Sequence, residues 1–178
     1  MRDALIEDGF LPHEFVGSAA IKDNPEDLAV KITQELKLKK DWNKNNPAAF
    51  NVLREAIRNL GILVMQYGVV GNNNHRVLNV AEFRAFVLID EYVPLIFLNA
   101  RDSANAKVFS LCHELVHIWL GVDELYNDNF TTNQIFNNGQ LESFCNEVAA
   151  EMLLPLSSIQ SALDPQNDIY TNIKHISK

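Results

Sequence analysis

A chain of 178 residues with a formal net charge of −8 argues against a protein that holds nucleic acid by neutralising phosphates, which requires clustered lysine and arginine. Its 47% hydrophobic and 21% charged residues are typical of a globular protein and argue against disorder, and two cysteines are too few for a disulfide scaffold. We therefore expect one globular domain, residues 1–178, without direct nucleic-acid binding.

The chain begins with sequence of helical type. Scattered apolar residues and turn signals predict a short helix and then a loop within residues 1–24. Asn24, followed by proline and two acids, predicts the start of a second helix that runs to about Leu38. A third helix is expected to open at Asn46 and to end at Gly61 in the C′ position.

After the third helix the sequence changes to strand type. Three short runs rich in β-branched and aromatic side chains, bounded by turn residues, lie at 62–65, 85–89 and 95–98. They predict a small sheet of at least three strands. The polar stretch 71–74 between the first two runs is predicted to be a loop.

A long helix is predicted next, from a cap at Ser103 to Leu120, with Gly121 as its stop. Apolar residues cover most of its circumference, which is typical of a helix in the interior. The exception is one polar stripe that consists of Ser110, His113, Glu114 and His117.

Three residues of that stripe form a His-Glu-x-x-His motif. The imidazoles of His113 and His117 lie one helical turn apart on one face, where they can bind a single zinc ion. Glu114 occupies the position at which zinc-dependent hydrolases carry the carboxylate that takes a proton from water. The alternative, two core histidines satisfied by hydrogen bonds, is disfavoured by the helical and apolar context.

The remaining sequence predicts a loop and further helices. Residues 122–139 are polar and without periodicity, which predicts a surface loop. A helical pattern resumes over 140–154 and ends at the following proline. A weaker helix is expected to start at 157–158 and to break at Asp164. The last residues, 169–178, resemble a helix without a cap, so we expect a fragment of a longer protein.

A third zinc ligand is expected from outside the motif, because catalytic zinc usually has three protein ligands. His13, His75 and His175 do not lie at the spacing of the metzincin pattern. A carboxylate from another helix is therefore the better candidate.

The 140–154 helix offers that carboxylate. Glu142 lies at the edge of the apolar face and can reach a site against which the helix packs, whereas Glu147 and Glu151 point away and are interpreted as surface residues. Cys145 is the alternative ligand, although a free cysteine in an apolar helical pattern is usually a small buried residue. Asn146, one turn beyond Glu142, is expected to hydrogen-bond a ligand imidazole.

Three ordered motifs within about residues 60–156 resemble the ImmA/IrrE family of zinc metallopeptidases. They lie at residues 84–99, 108–121 and 141–155. The resemblance implies an α+β, zincin-like fold of the minimal gluzincin type. Such a fold has a small mixed sheet packed on an active-site helix that carries the motif and a second helix that carries a glutamate.

The resemblance also implies the site and the activity. One Zn²⁺ would be held by His113, His117 and Glu142, with Glu114 as general base in a metalloendopeptidase. Family members act beside or fused to a helix-turn-helix repressor and cut it, so a repressor-type protein is the expected substrate. This chain has no basic helix-turn-helix pattern of its own, which departs from the fused form.

The alternative function is a non-proteolytic, zinc-containing regulatory module that docks a repressor or toxin partner. Retention of Glu114 weighs against it, because zinc binding alone does not require that carboxylate. Within the peptidase hypothesis, a substrate strand is expected to add to the sheet along 95–99. A residue that stabilises the oxyanion is also expected, and the spacing does not choose among four candidates, Tyr126, Tyr92, Arg84 and His75.

The expected organisation is N-terminal helices over 1–60, the sheet and zinc-binding helices over 61–156, and a C-terminal tail over 157–178. The first residues lack the apolar region of a signal peptide, and no segment approaches the length of a membrane span. We therefore expect a cytoplasmic protein without a membrane partner. The sequence does not indicate an oligomeric state.

Overall fold

The protein combines a small mixed sheet with packed helices, in a computed structural model that describes residues 2–44, 46–71, 73–122 and 138–163. The predicted α+β class is confirmed. In chain order the elements are α1 (Arg2–Glu7), α2 (Pro25–Glu35), α3 (Asn46–Asn59), β1 (Leu63–Tyr67), β2 (Val69–Val70), β3 (Asn73–Val77), β4 (Ala85–Leu88), β5 (Leu95–Asn99), α4 (Ala104–Leu120), α5 (Asn138–Leu153) and α6 (Leu156–Ala162).

The main sheet has three strands in the order β1-β5-β4. β1 runs parallel to β5 and β4 runs antiparallel to it, so the predicted mixed sheet is confirmed. β5 therefore has a neighbour on each side, and the expectation that a substrate strand adds along β5 is wrong. Strand order depends on contacts between distant residues, which the local sequence pattern does not carry. In the described part of the chain, β1 and β4 form the two edges.

A second, two-stranded sheet occupies part of the stretch that we predicted to be a loop. β2 and β3 pair in antiparallel fashion, and residues 73–74 belong to the second strand. Every residue of β3 is exposed, so this strand lacks the alternation of apolar and polar residues by which strands are recognised. Pairing with β2, rather than burial, accounts for its conformation.

Helix α4 forms the centre of the core. It packs against α3, α5, β4 and β5, while α2 also packs against α5. Four of its large apolar side chains are fully buried, as an all-round apolar helix predicts: Leu111, Leu115, Ile118 and Trp119. The histidine motif on α4 is thereby held in a rigid environment, which fixes the positions of its imidazoles.

The predicted helix boundaries are confirmed at the start of α2 and at both ends of α4, whereas α2 ends at Glu35, before the predicted Leu38. Asn24 accepts a hydrogen bond from the backbone N–H of Asp27, and Ser103 accepts one from that of Ala106. Gly121 adopts a left-handed conformation, with φ 68°, at the end of α4.

The later boundaries differ slightly from the predicted ones. α5 begins two residues before the predicted position 140, and α6 begins at Leu156. The predictions for 123–137 and 164–178 lie outside the described residues. Among the described helices, none is long and apolar enough to cross a membrane.

Lys37, just after α2, is expected to limit stability because it adopts a left-handed conformation with φ 52°. A non-glycine L-residue loses about 1–2 kcal/mol of stability in this conformation. Glycine removes this strain, but it also raises the entropy of the unfolded chain, so only part of that stability is recovered. We expect Lys37→Gly to raise the free energy of unfolding by about 0.5 kcal/mol in urea titrations. The matched change Lys39→Gly is expected to lower it, and equal effects of both changes would contradict the argument.

Candidate metal centre

Two helices bring three predicted ligands together. His113 and His117 project from α4 and Glu142 projects from α5, and their candidate ligand atoms all lie within 4.8 Å of one another. The two histidines meet because residues four apart share a helix face. Glu142 joins them because α5 packs along α4.

The spacing of these atoms fits a single metal ion. The two Nε2 atoms are 3.2 Å apart, and the Glu142 oxygens lie 3.2 Å from Nε2 of His113 and 3.5 Å from Nε2 of His117. Atoms that surround one zinc ion tetrahedrally, at about 2.0–2.2 Å, are separated by about 3.3–3.6 Å. The cluster is therefore compatible with the metal site of a zincin-like fold.

Hydrogen bonds behind the imidazoles orient their nitrogens. Nδ1 of His117 lies 3.0 Å from the backbone oxygen of Val122, and Nδ1 of His113 lies 3.1 Å from Oδ1 of Asn146. A carbonyl oxygen only accepts, so each Nδ1 donates its hydrogen, and Nε2 of a neutral imidazole then presents a lone pair to the cluster. Two such lone pairs and a carboxylate form a set of donor atoms that suits a cation.

The three ligands differ in their access to solvent. The exposed fraction of the side chain is 1% for His117, 14% for His113 and 33% for Glu142. His117 is thus anchored in the core, and the cluster opens toward solvent on the side of Glu142. A ligand from solution can approach the site from that side.

Glu114 lies on α4 between the two histidines and is buried, with 8% of its surface exposed. Carboxylates are seldom buried unless they are paired or serve a function. Its position next to His113, in a site that opens to solvent, is suited to exchange of a proton with a bound molecule.

The two other α5 glutamates considered in the sequence do not belong to the metal cluster of the described residues. Glu147 is exposed, as predicted. Glu151 also lies outside the metal cluster of the described residues, but it is only partly exposed, and its carboxylate accepts a hydrogen bond from the backbone N–H of Leu156, at 3.1 Å and 3.3 Å, at the start of α6. Helical periodicity shows which way a side chain points, but not that the chain folds back to meet it.

Both cysteines are buried and neither belongs to the metal cluster of the described residues. Burial raises the pKa of the Cys112 thiol well above its usual range, so this side chain stays a neutral thiol. Cys145 is fully buried in the core, and the candidate cluster of the described residues contains Glu142 and not Cys145. The interpretation of the cysteines as small core residues fits this structure.

The four candidates for oxyanion stabilisation differ in their surroundings. Arg84 pairs with Asp102 at 3.2 Å, and the guanidinium of Arg2 lies over the ring of Tyr92 at 5.7 Å. His75 is exposed on β3, and Tyr126 lies outside the described residues, as does His175. Two of the four candidates thus have partners elsewhere in the fold.

The sequence did not predict the backbone oxygen of Val122 as the partner of His117. A backbone carbonyl has no side-chain signature in a sequence. The only available signal was Gly121, whose left-handed conformation turns the chain back over the end of α4. The predicted role of Asn146, by contrast, is matched by its hydrogen-bond distance to His113.

Loss of the Asn146 oxygen is expected to weaken metal binding. Removal of a partner that orients a ligand imidazole typically lowers affinity by about 10–100-fold, and we expect that range for Asn146→Ala. Competition with a chromogenic chelator would measure the dissociation constant for zinc. Asn146→Asp keeps an acceptor oxygen and should retain most of the affinity, and the exposed neighbour Glu147→Ala provides the control. Equal affinities for Asn146→Ala and Glu147→Ala would refute the role.

Comparison with known protein families gives one match. A family model described as the IrrE N-terminal-like domain, Peptidase_M78, matches residues 57–176. This span includes the whole three-stranded sheet and the cluster of His113, His117 and Glu142, while α1 and α2 precede it. No curated protein and no solved structure matches the chain.

Proposed function

The chain belongs to the IrrE N-terminal-like family of peptidases, as its motifs predicted, and on that premise we propose that it is a zinc-dependent metalloendopeptidase. The observation that carries the proposal is the convergence of His113, His117 and Glu142, with the buried Glu114 next to His113 in the same helix. Two imidazoles and one carboxylate form a ligand set that catalytic zinc uses, with a fourth position left for water or substrate.

The proposed mechanism assigns proton transfer to Glu114. Zinc in this site would act as a Lewis acid that acidifies a coordinated water and polarises the scissile carbonyl. Glu114 accepts a proton as the water oxygen bonds to the carbonyl carbon. It then donates that proton to the amine nitrogen as the carbon–nitrogen bond breaks. His113 and His117 keep their orientation throughout, because their Nδ1 atoms donate to Asn146 and Val122.

We place the substrate strand along β4 instead of β5. Among the described strands, β4 pairs only with β5, and α4 packs against both of them. The oxygen of Arg84 accepts from the N–H of Asn99, so by antiparallel alternation the backbone groups of Ala85 and Val87 point away from β5. These groups are available in the described fold for pairing with an extended peptide.

The proposed substrate is a repressor-type regulatory protein. The resemblance to ImmA/IrrE proteins, which act beside such repressors, supports this choice. So does charge, because a chain of net charge −8 attracts a basic, DNA-binding partner. A substrate of this kind implies a cytoplasmic location.

The test is incubation of the zinc-loaded protein with the repressor encoded beside it, followed by mass spectrometry of the products. We expect a cut that a chelator prevents and that added zinc restores. A protein that binds stoichiometric zinc but leaves the repressor intact would overturn the choice of substrate. A protein that binds no zinc would overturn the proposed activity.

A further inference from the structure

A segment near the N-terminus, residues 13–19, crosses the C-terminal end of α4, and we refer to it as the N-terminal strap. The backbone N–H of Gly17 donates to the oxygen of Ile118 at 3.0 Å, and that of Ala19 donates to the oxygen of Trp119 at 2.8 Å. The last carbonyls of a helix have no partner within the helix. The strap therefore caps α4 from a distant part of the chain.

Aromatic contacts fix the strap on both sides. The ring of Phe15 stacks on the buried ring of Trp119 with centroids 4.7 Å apart, and His13 stacks on Phe15 at 4.9 Å. His13 also covers Gly61, where an added Cβ would lie 2.7 Å from its Cε1 atom. The strap thus connects the end of α4 to the turn between α3 and β1.

The turn after α4 lies directly against the strap. A Cβ on Gly121 would lie 2.9 Å from the Cα of Gly17, so the two backbones are in close contact. The next residue, Val122, accepts the Nδ1 hydrogen of His117 through its backbone oxygen and donates its own N–H to the His117 oxygen at 3.2 Å. The orientation of His117 therefore depends on a turn that the strap covers.

We propose that the N-terminal strap is a positioning element of the metal centre. By holding the turn at Gly121 in place, it fixes the Val122 oxygen and thereby directs Nε2 of His117 toward His113 and Glu142. The inference rests on the proposed function, since it concerns the affinity of that site for zinc. The strap precedes the family-matched residues 57–176, so this contribution comes from outside the matched domain.

The test compares two glycines that share a left-handed backbone. Gly17 has φ +68° and lies in the strap, whereas Gly9 has φ +78° and an added Cβ there would meet nothing within 4 Å. At either position, the β-branched valine side chain is sterically unfavourable in this backbone conformation. We expect Gly17→Val to raise the zinc dissociation constant at least about tenfold, and Gly9→Val to change it by less than about twofold.

A second measurement, which needs no metal, is made beside the zinc dissociation constant. Nitrogen NMR of the metal-free protein reports which nitrogen of His117 carries the hydrogen. We expect Nδ1–H alone in the wild type and in Gly9→Val, and a mixture of tautomers in Gly17→Val. If Gly17→Val does not fold, Phe15→Leu replaces it, because it keeps an apolar side chain but loses the ring stack on Trp119.

The outcomes separate this inference from the proposed function. Wild-type protein that binds zinc, together with equal affinities and equal His117 tautomers in the strap variant and in Gly9→Val, would overturn the role of the strap alone. Wild-type protein that binds no zinc would overturn the proposed function, and the NMR comparison would then decide the role of the strap by itself.

Discussion

Replacement of Glu114 by glutamine is expected to lower the rate of peptide cleavage by about 10²–10⁴-fold, the usual contribution of a general base. Glutamine has nearly the same shape as glutamate but cannot accept the proton from water. The metal should stay bound, because His113, His117 and Glu142 are unchanged. Single-turnover cleavage of the substrate, together with the zinc content of each preparation, measures both effects.

The matched control is Glu147→Gln, the same chemical change at an exposed position of α5. We expect this variant to keep full activity. If Glu114→Gln retained zinc and also retained activity, the peptidase mechanism would be wrong. The regulatory module that binds a partner without cutting it would then be the better account of the function.

Removal of the Glu142 side chain is expected to weaken zinc binding more than about 100-fold, because loss of a direct ligand exceeds the 10–100-fold cost of losing an outer partner. Glu142→Ala leaves the two Nε2 atoms, 3.2 Å apart, without the carboxylate that completes the cluster. Peptidase activity should be lost with the metal. Chelator competition and metal analysis of the purified variant check the result.

Cys145→Ala is the informative comparison, because the sequence left this thiol as the alternative ligand. Cys145 is fully buried on the same helix, so its truncation is expected to cost stability, about 1 kcal/mol, but no zinc affinity. Loss of zinc from Cys145→Ala, with retention in Glu142→Ala, would reverse the assignment of the third ligand.

The convergence of the three predicted residues has a partly local origin. His113 and His117 are four residues apart on one helix, and helical geometry alone brings their imidazoles to one face. Glu142 and Asn146 repeat that spacing on α5, so one packing contact between the two helices supplies both a candidate ligand and the partner of His113. A sequence pattern captures the spacing within each helix because it depends on neighbours within a few residues, whereas the pairing of the two helices was implied by the family resemblance.

The features that were not predicted are those that local sequence patterns do not carry. β5 was expected at the edge of the sheet and lies in its centre, because strand order follows from pairings between remote segments. β3 was missed because four of its five residues are polar and all five are exposed. The hydrogen bond between Glu151 and the backbone N–H of Leu156 was not predicted, because it forms only where the chain folds back at the start of α6.

By itself, the sequence determined the α+β class, the main helix ends, the family and the three residues that converge, since caps and periodicity are local properties of a chain. Only the tertiary structure decided which strand lies at the edge, that Val122 orients His117, and that the N-terminal strap covers that turn. Those features depend on backbone groups of segments far apart in the chain, and backbone groups are the same in every residue except proline.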